Sequence, residues 1–307
     1  MLNYSIFIFS LLFSTITILL ERIVGIEWDF HPDSVTYATQ SSEVSELIFN
    51  DNVFALFNNA YYVVCFILGE SVILITLMNF LLFALSNVFI YKLHLRLSSL
   101  RANESLAVSF LLMFNPYRLH LSTTLLKDTI IIFILLCIVY NGIKFKSFVS
   151  LIAIRLASVL YMIIFLNKKI IWFFAAIFFL AVFSMPELSV VLEGFNSQEM
   201  NFREDVSINA FQDYGLLGIF IRATVWPLLA LGGIYVFVKP ALMYAPLALG
   251  QWMQIMYMKR LGVDIFDVRI LSVLYVFAVM VTGFTSYLRY IMPIMVIAPF
   301  INLVAKK

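Results

Sequence analysis

The stretch DFHPDSVTY sets two carboxylates, Asp29 and Asp33, beside His31 and Tyr37, directly after the first apolar run of the chain. A carboxylate can accept a proton as a general base or ligate a hard cation. Cations lie elsewhere: Arg118, His120 and Lys127 in NPYRLHLSTTLLKD, Arg155 inside an apolar stretch, Arg203 and Arg222 later, and Arg289 between Tyr287 and Tyr290. Arg and Lys hold phosphate oxygens through charge-assisted, often bidentate, hydrogen bonds. An acid beside several cations suits transfer of a sugar from a lipid-linked phosphate or pyrophosphate. The acid would deprotonate the acceptor hydroxyl and the cations would stabilise the departing phosphate. Asp33 and Asp29 are therefore the candidate catalytic residues. Arg289, Arg118, Lys127, Arg155, Arg222, His31, Tyr37 and Tyr290 are the candidates for binding phosphate or substrate.

Each has a plain structural alternative. Asp33 follows Pro32 and could open a helix, because an acid in the first turn satisfies free backbone amides. Lys127 and Asp128 read equally as a helix entry with a snorkelling lysine. Arg289 between tyrosines reads as an interfacial anchor. His31, His94 and His120 are too scattered for a metal motif, and Cys65 and Cys137 sit in hydrophobic runs where a thiol behaves as a small hydrophobe. No metal site is expected. Asp29 and Asp33 offer hard oxygen ligands to a divalent cation, although nothing in the sequence requires one. The absence of a P-loop, a dinucleotide fingerprint, HExxH and GxSxG argues against ATP-driven transport and against intramembrane zinc or serine proteolysis. No nucleic acid is expected as a partner.

The frame that must position these residues is a membrane domain. Apolar residues make up 63% of the 307 and charged residues 12%, and the mean hydropathy is +0.99. A crossing helix needs about 20 apolar residues, which predicts an all-α polytopic transmembrane bundle of about eight spans with re-entrant or interfacial helices, in one domain covering 1–307. Residues 4–20 and 71–91 read as spans. The acidic segment 21–51 carries a single basic residue, Arg22, which places it outside and the N-terminus in the cytoplasm. External loops are expected at 21–70, 115–128 and 186–215, with residues 52–68 lying near the outer interface. The segment 146–168, with Arg155 at its middle, reads as two short half-helices, since an arginine at membrane depth needs a partner or a wet cavity. Of 216–238 and 241–258 only one fits as a full crossing. The second is favoured, with the region around Pro227 re-entrant or lying on the outer face. The basic end AKK is expected in the cytoplasm.

With these residues in place, the chain resembles the C-type polytopic membrane glycosyltransferases, which use polyprenyl-phosphate-linked or polyprenyl-pyrophosphate-linked sugars. The resemblance rests on HPDSVTYA soon after the first helix, on an Asn-Pro start and Lys-Asp close in NPYRLHLSTTLLKD, and on RYIMP at Arg289 to Pro293. It implies a catalytic role for Asp33, with Asp29 as second candidate. Within that superfamily the low-glycine, aromatic chain is similar to bacterial O-antigen and capsule repeat-unit polymerases. Its shorter length leaves open transfer of a single side-group sugar, and a flippase or transporter of lipid-linked sugars is the alternative outside enzymes. The implied partners are a lipid-linked donor and acceptor in the bacterial inner membrane, along with other polysaccharide-assembly membrane proteins.

Overall fold

The computed structural model describes residues 2–50, 56–97, 102–184, 215–233, 244–281 and 284–304. Every regular element among them is helical. Helices satisfy their own backbone groups where no water is present to do so. In chain order, α1 (Leu2–Ile23) leads through a short loop to α2 (Pro32–Thr39), α3 (Ser41–Asn50) and α4 (Ala60–Ile67), and then to α5 (Val72–Leu97). Next come α6 (Ala102–Met113), α7 (Pro116–Thr123), α8 (Asp128–Asn141), α9 (Phe145–Ile154) and a 3-10 segment, Leu156–Phe165. α10 (Lys168–Ser184), α11 (Gly215–Gly232), α12 (Tyr244–Arg260), α13 (Val268–Met280), α14 (Phe284–Ile297) and α15 (Ile301–Val304) complete the described chain.

Among the described residues, three helices are long and apolar enough to cross a bilayer: α1, α5 and the continuous stretch Ser286–Leu303. A fourth arises if α7 and α8, bent by 120° at their junction, count as one broken span. About eight crossings were expected from hydropathy, and the difference has local causes. Asn115 and Pro116 break the apolar run before α7, and Arg155 breaks the run between α9 and the 3-10 segment with an extended backbone (φ −157°, ψ 117°). The segment 186–215, expected as an external loop and including Arg203, lies outside the described residues apart from Gly215.

α1 turns most of its apolar side chains outward, Phe9, Leu12, Ile16 and Leu19 among them. Its buried hydroxyls face α5 and α7. Ser10 donates to the Ile6 carbonyl at 2.7 Å, and Ser14 shares a 3.1 Å hydrogen bond with Ser122. α5 carries a buried polar stripe at helical spacing, with Asn79, Asn87 and His94 on one face. Asn79 Nδ2 donates to the Thr124 carbonyl at 2.7 Å, and Asn87 Nδ2 donates to Ser10 Oγ at 3.0 Å. The Nδ2 donors of these amides tie α1 and the α7–α8 turn to α5.

The stretch NPYRLHLSTTLLKD, expected as an external loop, is instead a buried helix and its following turn. Asn115 caps α7, its Oδ1 accepting from the amides of Tyr117 and Arg118 at 3.0 and 3.2 Å. The hydroxyls of Ser122 and Thr124 return to carbonyls three residues back, so much of this polar sequence folds inward on bonds to its own backbone. Asn115 Nδ2 also donates to the Gly250 carbonyl at 2.6 Å, and a Cβ at Gly250 would meet Asn115 Oδ1 at 2.6 Å. Gly250→Ala is therefore expected to displace the cap and cost about 1–2 kcal/mol, the worth of a helix N-cap, measurable as a lowered unfolding midpoint of the detergent-purified protein.

Pro227 lies inside one helix, α11, with Trp226 wholly buried against Phe284 and Tyr287. α11 packs against α12 and α13.

Candidate functional site

Four segments distant in sequence meet in one network of charges. Asp33 lies in the first turn of α2, Asp128 opens α8, Arg155 occupies the break after α9, and Arg289 lies in α14. Arg155 Nη1 donates to Asp128 Oδ1 at 2.7 Å, with Nη2 at 3.5 Å from Oδ2. Arg289 Nη2 donates to Asp33 Oδ2 at 2.7 Å, while its Nε lies 3.5 Å from Asp128 Oδ2. Arg289 thus links the two acids.

Exposure grades along this chain. The side chains of Asp128 and Arg155 are 0% and 3% exposed, Arg289 is 13% exposed and Asp33 39%. The inner pair is sealed and Asp33 forms the open end. Tyr290 lies beneath both guanidiniums, with its ring centroid 4.5 Å from Arg155 and 5.6 Å from Arg289; desolvated cation–π contacts of this kind are favourable. The Tyr161 hydroxyl donates to the Tyr290 carbonyl at 2.7 Å and holds that helix turn against the 3-10 segment.

Lys127 adds a third cation. Its ammonium sits 5.9 Å from the centroid of the Tyr37 ring, and no carboxylate among the described residues lies within ion-pair distance of it. Tyr37 is buried edge-on against Tyr61 and Tyr62, and burial raises its phenol above the ordinary tyrosine value. Three cations therefore face two carboxylates. Arg155 Nε, Arg289 Nε and Ser34 Oγ are buried with no hydrogen-bond partner in the protein. Such donors are costly to leave empty, and at the open end an anionic oxygen ligand would offset the charge excess beside Arg289 and Lys127.

A second chain of hydrogen bonds runs beside the first. Glu21, in the last turn of α1, accepts from His120 Nδ1 at 2.7 Å through Oε1 and from Thr123 Oγ1 at 2.5 Å through Oε2. His120 Nε2 lies 2.9 Å from His31 Nε2. His31 precedes α2 as its N-cap residue, two positions before Asp33. Burial first, then the charges of His120 and Arg289, lower the His31 pKa from its usual 6.5 to about 3. The unfolded chain binds a proton on His31 below 6.5 and the folded chain does not until about 3. This residue's contribution is intact above 6.5 and lost progressively as pH falls toward 3. His31→Asn is expected to flatten that part of the acid limb in a stability-versus-pH profile of the purified protein.

Several residues singled out from the sequence lie elsewhere. Arg118 is buried, and its Nη1 donates to Asn87 Oδ1 at 2.9 Å and to the carbonyls of Leu112 and Met113 at 2.7 and 3.0 Å. Arg222 donates to the carbonyls of Ala278 and Val279 near the end of α13, both at 2.9 Å. Both arginines complete unpaired helix-end carbonyls, and neither joins the network around Asp33. Asp29 is exposed in the turn before α2, away from the network's ion pairs. Asp33 is tied to Arg289, and no group of three or more metal-ligating side chains occurs among the described residues. His94 hydrogen-bonds the Tyr257 hydroxyl at 2.9 Å within the core.

Glu21 escaped the sequence reading, and Asp128 entered it only beside Lys127. Glu21 closes an apolar run next to Arg22 and resembles any helix-end acid. Asp128 reads as a helix entry, and its signal was indirect: a buried Arg155 demands an acid, and Asp128 is the acid at the edge of an apolar run.

No protein family, curated protein or solved structure matches this chain. What the fold and the site define is an all-helical protein with helices of membrane-crossing length and a charged network assembled between them.

Proposed function

We propose that this chain is a multi-pass glycosyltransferase of the bacterial inner membrane, using polyprenyl-phosphate-linked or polyprenyl-pyrophosphate-linked sugars. Polymerisation of O-antigen or capsule repeat units on the periplasmic face is the specific reaction proposed. In this arrangement both termini are cytoplasmic, and the shorter apolar helices complete about eight crossings. The observation that carries the reading is the Asp33–Arg289–Asp128–Arg155 network with Lys127 alongside. Its excess positive charge and orphaned buried donors suit the phosphates of a lipid-linked donor. Arg289 and Lys127 would hold the phosphate oxygens and stabilise the leaving group. Arg155, locked by Asp128, would fix the position of the site's floor. Asp33, at the open end, would engage the acceptor hydroxyl.

The test is glycan chain length in a strain carrying Asp33→Asn at normal membrane abundance. Loss of the polymer ladder, leaving single repeats, is expected. An unchanged ladder would remove Asp33 from the mechanism. Intact chains lacking one branch sugar would assign single-sugar transfer in place of polymerisation, and lipid-linked repeats accumulating on the cytoplasmic leaflet would assign flipping.

A further inference from the structure

We propose that Glu21, His120 and His31 form a proton relay that removes the acceptor-hydroxyl proton from this site. The inference rests on the glycosyl-transfer reading and deepens it. Asp33 is engaged by the Arg289 guanidinium at 2.7 Å, and the relay gives the acceptor proton a second route out of the site.

The relay runs in one tautomeric state. The Glu21 carboxylate can only accept, and it takes the hydrogen of His120 Nδ1 at Oε1. In that state His120 Nε2 is bare and accepts at 2.9 Å from His31 Nε2–H, which leaves a lone pair on His31 Nδ1 for the acceptor proton. Thr123 holds the second oxygen of Glu21, and Tyr117 stacks near His120 at 6.2 Å, so the carboxylate and the central ring are both held. The titratable and charged groups facing His31 are His120 on α7, Arg289 on α14, Asp128 on α8 and Asp33 on α2. Asp33 and the relay thus address the same space.

In the step, the acceptor oxygen forms a bond to the donor sugar's anomeric carbon as that carbon's bond to the phosphate oxygen breaks. The phosphate leaves with the bonding electron pair. The hydroxyl proton passes to His31 Nδ1 while the Nε2 proton of His31 passes to His120 Nε2. His120 ends as an imidazolium against the Glu21 carboxylate, the one position in the relay where a positive charge meets a partner. Burial and Arg289 disfavour lodging that charge on His31, so His31 conducts and His120 stores.

The chain has three histidines, which makes nitrogen-15 spectroscopy of the labelled full-length protein in lipid direct. Expected at pH 5 is a neutral His31 protonated on Nε2 only, with the His120 Nδ1 signal moved by Glu21→Gln. A His31 that is protonated, or that carries its hydrogen on Nδ1, would overturn the relay, and so would stoichiometric zinc retained by wild type and lost in His31→Gln. These readouts need no turnover, so they stand apart from the glycosyltransferase assignment, which fails separately if purified wild type transfers no sugar. With transfer observed, His31→Gln is expected to lower the rate by about 10²–10⁴-fold and to be partly rescued by added imidazole, and Glu21→Gln to displace the pH profile. Full rate with an unchanged profile in both variants would overturn the proposal.

Discussion

Removing the Asp128 carboxylate is expected to destabilise the protein more than any other single change in the site. Asp128→Ala leaves the Arg155 guanidinium, 3% exposed, with no acid beside it, and stranding one charge of a buried pair costs about 3–5 kcal/mol. That is a large fraction of the roughly 5–15 kcal/mol that holds a typical domain together. Arg289 would lose its inner partner as well, since its Nε lies 3.5 Å from the same carboxylate. The measurement is membrane abundance together with the unfolding midpoint in detergent. Asp128→Leu combined with Arg155→Leu separates burial from pairing: removing both charges and filling the space is expected to recover most of the lost stability. A single Asp128→Ala variant with wild-type stability would show that the pair contributes nothing to the fold.

Composition pointed to the helical class, because 63% apolar residues is far above the share in a typical soluble domain and apolar helices follow from it. The sequence also revealed Asp33 and Arg289 as reactive candidates and Arg155 as an interior charge in need of a partner. What it concealed follows from physics that acts between segments. NPYRLHLSTTLLKD looked like a solvated loop because its polar residues are dense. Those residues are satisfied by a cap at Asn115, by backbone carbonyls and by the amide of Asn79, none of which leaves a periodic trace. Arg118 and Arg222 looked like phosphate binders because an arginine's partners are not written beside it in the chain. Here those partners are carbonyls at the ends of helices. His31 and His120, set aside as too scattered for a metal motif, meet across 89 positions of sequence. Scatter along the chain was a poor guide, since α7 folds back against the end of α1 and carries His120 to Glu21.

Arg289→Lys is the substitution expected to separate catalysis from folding. Arg289 uses one nitrogen toward Asp33 at 2.7 Å and another toward Asp128 at 3.5 Å, and a lysine ammonium, a single point of charge, cannot serve both while also holding phosphate. Loss of one preorganised donor to a developing charge lowers rates by about 10²–10³-fold, and a fall of that size in sugar transfer is expected. Stability is expected to change by less than about 1 kcal/mol, because the outer pair ends on Asp33, which is 39% exposed, and ion pairs of that kind contribute little. Exchanging the two, with Asp33→Arg and Arg289→Asp together, supplies the decisive comparison. The exchange restores an ion pair but presents an acid where phosphate would bind, so the activity is expected to stay lost. Recovery of transfer in the exchanged protein would mean that the pair is a structural tie and that the phosphate is held elsewhere, with Lys127 the next cation to change.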